Sequence, residues 1–102
     1  MRIVNSYKYI CDTQKEYTLS KQLLRSGTSI GANITEAQQA QSKADFISKL
    51  SIALKEAVET KHWIRLLFAT DYLSEPEYNS LLSDNIELEK MLVASLKTSK
   101  SN

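Results

Sequence analysis

Apolar residues return at steps of three and four along almost the whole chain, and no stretch alternates with the two-residue period of a strand. Four helices are predicted. The first covers about Arg2 to Asp12 and sets Ile3, Tyr7, Ile10 and Cys11 on one side, before the polar stretch Asp12–Glu16 turns the chain. The second opens near Thr18, the expected cap, with a seam of Leu19, Leu23, Ser26, Ile30, Asn33, Ala37 and Ala40. The third starts after Ser42, whose hydroxyl can cap it while Asp45 sits three residues on; Phe46, Leu50, Ala53, Ala57, Thr60, Ile64 and Leu67 form its seam. The fourth is announced by Ser74-Glu75-Pro76-Glu77: a capping serine, a glutamate three later and a proline in the first turn. Its seam is Tyr78, Leu81, Leu82, Asn85, Leu88, Leu92 and Leu96, with a polar end expected to fray.

Short links between long helices imply antiparallel neighbours, so the expected fold is all-α: a single-domain, up-down-up-down four-helix bundle over residues 1–102. The first helix is about half the length of the others and cannot cover them. Either the chain extends upstream or a second subunit lies in the uncovered groove, and both leave apolar surface that favours association.

Gly27 and Gly31 fall inside the second helix, where each costs ~1 kcal/mol relative to alanine. Close approach of another helix is the expected compensation at both. The residues expected to serve packing or an oligomer interface are therefore Gly27, Ile30, Gly31, Ile34 and Trp63. Asn33 and Thr60 interrupt two apolar seams that Glu36, Glu56 and Glu59 border. Buried polar groups need partners, so these five predict a cross-helix network, with Asn33 meeting Thr60 or a glutamate and fixing the register. A polar ligand pocket at a subunit interface is the alternative use of the same residues.

Composition narrows the class. Only two glycines and one proline occur in 102 residues, and no apolar run approaches the ~20 residues of a spanning helix. The N-terminus lacks the apolar stretch of a signal peptide. The lone Cys11 can form no internal disulfide, in keeping with a reducing cytoplasm. The net charge of +1 hides an uneven distribution, since residues 71–92 hold six acidic side chains and one lysine. Lys21, Arg25, Lys61 and Arg65 on the second and third helices, with Lys49 and Lys55 nearby, are the candidate nucleic-acid face.

Enzymatic signals fail when counted. Glu59 and His62 have the Glu-x-x-His spacing of carboxylate-bridged di-iron bundles, but such a site needs two of these motifs and the chain has one histidine. No nucleophile elbow or phosphate loop occurs, and Asp12 next to Cys11 raises a thiol pKa. No catalytic residue, metal ligand, cofactor or small-molecule substrate is expected.

The ordered residues Arg25-Ser26-Gly27-Thr28-Ser29-Ile30-Gly31-Ala32-Asn33-Ile34, Glu36-Ala37, Ala44-Asp45-Phe46, Lys55-Glu56-Ala57, Glu59-Thr60, Trp63 and Glu89-Lys90-Met91-Leu92 resemble the 23S ribosomal RNA intervening-sequence proteins. The resemblance covers roughly Leu19 to Lys100. It departs from the commoner pattern at Gly31, where many members have proline, and at Ala37, where many have glycine; the first helix is also shorter than usual. The resemblance implies a homo-oligomeric bundle, with a pentameric ring the favoured form. It also implies likeness in fold to the accessory variability protein of diversity-generating retroelements, which works with a reverse transcriptase and nucleic acid. That relative is basic and this chain is not, which weighs against phosphate binding. The resulting expectation is a non-enzymatic interaction or scaffold protein, with a direct RNA or DNA binder as the alternative.

Overall fold

A computed structural model describes residues 2–10 and 17–101. Its helices are α1 (Arg2–Tyr9), α2 (Thr18–Gln38), α3 (Lys43–Ala69) and α4 (Glu75–Ser101). No strand occurs among the described residues. Cys11 and Asp12, placed in the first helix and its turn by the sequence reading, lie outside the described residues.

The helix ends follow local chemistry. Ser42 Oγ accepts from the Asp45 backbone N–H at 3.0 Å and caps α3. Before α4, the Ser74 N–H donates to Glu77 Oε1 at 3.0 Å and the Glu77 N–H to Ser74 Oγ at 3.3 Å, the reciprocal pair of a capping box. At the end of α3, Asp71 has φ 67°, the Tyr72 N–H reaches Leu67 O at 2.8 Å, and the Asp71 N–H reaches Phe68 O at 3.0 Å. That pattern is a Schellman stop with aspartate at the left-handed position glycine usually takes. Three expected ends shift. Thr18 is the first helical residue rather than a cap, because Tyr17 precedes it in an αR conformation with no side-chain cap bond. Helix α2 closes at Gln38, leaving Ala40 outside, and α4 stays helical to Ser101 instead of fraying.

Neighbouring helices run antiparallel. Arg25 of α2 meets Glu59 of α3 while Glu36, further along α2, meets Lys49, earlier in α3. Phe68 and Tyr78 stack at 4.1 Å beside the α3–α4 turn, and Asn85 reaches back to Ala57. The bundle is 46 Å long and 20 by 17 Å across, about the length of its 27-residue helices.

Two apolar clusters fill the interior. Near the α3–α4 turn, Ile10, Leu23, Ile64, Leu67, Leu73 and Leu81 are buried; towards the other end, Ile30, Ala37, Leu50, Ala53, Ala57, Leu92 and Leu96 are. Burying one such leucine or isoleucine contributes about 1.5–3 kcal/mol. Between the clusters lie the buried polar side chains Ser26, Thr60 and Asn85, one from each long helix. The α1 helix has eight residues, about 12 Å, and reaches only as far as Gly27, where Ile3 packs. Beyond it, side chains of α2 and α4 line an open groove.

Candidate interaction surfaces

The polar layer differs in its wiring from the expected one. The Thr60 and Ser26 hydroxyls share a 2.9 Å hydrogen bond across α2 and α3, and Thr60 Oγ1 also lies 2.7 Å from Glu56 O. Asn33 does not meet Thr60 or a glutamate: its amide donates to Ser29 O at 2.9 Å and to Ser29 Oγ at 3.2 Å, one turn back in its own helix. A half-buried asparagine finds that local acceptor before any distant one. The cross-helix amide is Asn85, which donates to Ala57 O at 2.8 Å and to Glu89 Oε1 at 3.2 Å. The sequence reading placed Asn85 on a seam but gave it no role; its signal is that it is the one amide in a leucine-rich row.

The glutamates are taken up by cations rather than by this layer. Arg25 binds Glu59 Oε1 and lies 3.6 Å from Glu56 Oε2, an oxygen shut off from solvent without a hydrogen bond. The Trp63 indole N–H donates to Glu59 Oε1 at 3.2 Å. Glu36 pairs with Lys49 at 3.0 Å on the surface. The Glu59 carboxylate is therefore engaged by arginine and tryptophan, while exposed His62 packs its ring edge-on to Trp63 at 4.9 Å. No three His, Cys, Asp or Glu side chains converge among the described residues.

The candidate basic face is not assembled. Arg25 is held by carboxylates on the α2 side of α3, whereas Lys61 crosses to α4 and pairs with Glu89 at 3.0 Å. Two of the four cations are thus neutralised and sit on opposite flanks of α3. Lys21 and Arg65, both exposed, make no ion pair among the described residues.

The expected packing residues divide in the same way. Gly27 is buried, and a Cβ built there would lie 2.6 Å from Ile3 Cδ1, so close helix approach explains this glycine. Around Gly31 a Cβ would meet nothing within 4 Å. The expectation of a close intrachain contact at Gly31 is corrected: it is exposed and lines open space. Ile30 is buried, Ile34 is half-buried, and Trp63 packs against the cluster near the α3–α4 turn.

That open space belongs to a concavity between α2 and α4. Its first part, about 250 Å³, is lined by Ile3, Ile30, Gly31, Ile34, Leu81 and Leu88, among others. A second part of about 210 Å³ continues past Ala37, Phe46, Met91 and Leu92. Ile34 and Leu88 line both, so α2 and α4 form the walls of one continuous apolar trough that α1 leaves uncovered. Met91 is 65% exposed on its rim. Asp84, Asn85, Gln38 and Ser95 are the polar side chains among its otherwise apolar lining.

The architecture is that of an all-helical, antiparallel four-helix bundle. The sequence profile described as 23S rRNA-intervening sequence protein matches residues 1–94, and the chain belongs to that family. A solved structure of a protein of unknown function from the S23 ribosomal protein family of Bacteroides thetaiotaomicron VPI-5482 is similar, with 57% identity and a TM-score of 0.93. The similarity covers 94% of this chain and 89% of that one. No curated protein matches the chain. No helix among the described residues is long and apolar enough to cross a membrane.

Proposed function

We propose that the chain is a non-enzymatic, homo-oligomeric scaffold, acting in the cytoplasm as a helical interaction platform within a nucleic-acid or ribonucleoprotein process. The observation that carries this reading is the uncovered α2–α4 trough, whose apolar walls a second copy can cover. A closed ring, five copies being the favoured form, would bury one such trough per subunit. Direct binding of RNA or DNA through Lys21, Arg25, Lys61 and Arg65 is the weaker reading, because the Arg25 and Lys61 ion pairs remove half of that charge.

Light scattering coupled to size exclusion, on protein purified without nuclease and run at low and high salt, tests both readings. A defined oligomer with clean protein absorbance at both salts supports the scaffold. Nucleic acid that co-elutes at low salt and is stripped at high salt supports the binder instead. A stable bare monomer removes the homo-oligomer.

A further inference from the structure

The outer seam between α3 and α4 lies apart from the α2–α4 trough and has a pattern of its own. Lys61 crosses it to Glu89 at 3.0 Å. Because the two helices run antiparallel, Val58 and Val93 each lie one turn from that bridge in the same direction, and Arg65 and Ile86 one turn in the other. Val58 is 49% and Val93 47% exposed, and Ile86 is half-buried. Lys97, one turn beyond Val93, and Lys55, three residues before Val58, border the same end. Ile86, Val93, Ala94 and Lys97 help to line a shallow depression of about 470 Å³ on the α4 side. The centre of the seam is thus apolar, and cations stand at both ends. Lys61 is taken up by Glu89 and Lys90 by Glu87, but Lys55, Arg65 and Lys97 are exposed and make no ion pair among the described residues.

We propose that this seam docks an acidic amphipathic helix of a different protein. Its apolar stripe would rest on Val58, Ile86 and Val93, and its flanking carboxylates would reach Arg65 at one end and Lys55 and Lys97 at the other. From Ile86 to Lys97 the seam runs about 17 Å, three turns of an incoming helix. Charge decides the occupant. Most of this chain's own described carboxylates are already engaged: Glu56 and Glu59 by Arg25, Glu36 by Lys49, Glu87 by Lys90, Glu89 by Lys61, and Glu77 in the α4 cap. A second copy therefore has little acid to present. A nucleic acid would answer the cations but leave the valines and isoleucine facing sugar and phosphate, whereas the apolar stripe of a helix removes them from water. The residues lining the depression are all different from those lining the trough, so the proposal stands whether or not copies of the chain assemble.

The test is fluorescence anisotropy with a labelled synthetic helix that carries leucines at steps of three and four and glutamates on both sides of them. Its control has every glutamate replaced by lysine. Saturable binding of the acidic helix, and none of the lysine version, is expected. The double change Val58→Ser and Val93→Ser should weaken binding about tenfold. Arg65→Gln with Lys97→Gln should weaken it several-fold and flatten its dependence on salt. Met91→Ser, on the trough rim, should leave it unchanged. All five side chains are exposed, and circular dichroism confirms that each variant keeps its fold. Absence of binding, or equal binding of the lysine version, overturns the proposal. So does loss of binding in Met91→Ser, which would move the contact to the trough. Displacement of the helix by a single-stranded RNA oligonucleotide would assign the seam to nucleic acid instead. A fall in mass of the double valine variant by light scattering would make the seam a contact between copies, which also overturns it.

Discussion

Ile3 sits directly over Gly27: a methyl group at position 27 would lie 2.6 Å from Ile3 Cδ1, 2.8 Å from Cγ2 and 3.4 Å from Cβ. Two branches of one side chain lie inside contact distance of the same point, so Ile3 must shift to admit a methyl group there. This contact is where α1 is fastened to α2.

Gly27→Ala should therefore destabilise the chain. Overpacking of about 1–3 kcal/mol outweighs the ~1 kcal/mol gained from helix propensity. Gly31→Ala meets no neighbour and should stabilise by up to ~1 kcal/mol. Both are best measured by chemical unfolding at low protein concentration, where any assembly contributes least. Ile3→Ala should recover part of the Gly27→Ala loss. Equal stabilisation by the two alanines would show that α1 is not packed against α2 as described.

Arg25 should matter more than its 52% exposure suggests. Replacing it with methionine keeps the aliphatic stem and leaves Glu56 Oε2 enclosed without a compensating cation. A loss of about 1–3 kcal/mol is expected, against less than about 1 kcal/mol for breaking the exposed Lys90–Glu87 pair. Adding Glu56→Gln should return most of it in urea unfolding. An Arg25→Met variant as stable as wild type would mean that the pair carries no weight.

Lys49 supplies the pH test. Its hydrogen bond to Glu36, then the charge of Glu36, raise its pKa above the ordinary 10.5. A raised lysine pKa gives stability that is fully present below the ordinary value and is lost as pH climbs through the folded one. The unfolding midpoint of Lys49→Gln should therefore stay at a constant offset from wild type between about pH 6 and pH 9, and the two should converge only in strong alkali. An offset that changes near neutrality would implicate another group.

How far these relationships could be read from residues depends on their range. The starts of α3 and α4 were legible because Ser42, Ser74 and Glu77 bond to backbone three residues away, a distance fixed by helix geometry. The start of α2 was misread because Thr18 has the right chemistry for a cap but already lies inside the helix. Gly27 and Gly31 carry the same propensity cost and the same apolar surroundings in sequence; only the position of Ile3 tells them apart. Asn33 and Asn85 both interrupt apolar rows, yet one turns back to Ser29 and the other crosses to Ala57. That choice depends on which helix lies opposite, and a single-helix pattern cannot show it. The cations follow suit, since the sequence places Arg25 and Lys61 near glutamates without saying that the partners are Glu59 and Glu89.

The Schellman stop at Asp71 and the capping box at Ser74 have a consequence for folding order. Every bond that ends α3 and begins α4 is made within six residues, so this hairpin closes from local contacts at a small entropic loss. Helix α2 is joined to α3 by a link as short, whereas the short α1 is held mainly through Ile3 and, just past its end, Ile10. Native-state hydrogen exchange should accordingly release α1 first, while the α3–α4 hairpin opens only with the whole chain.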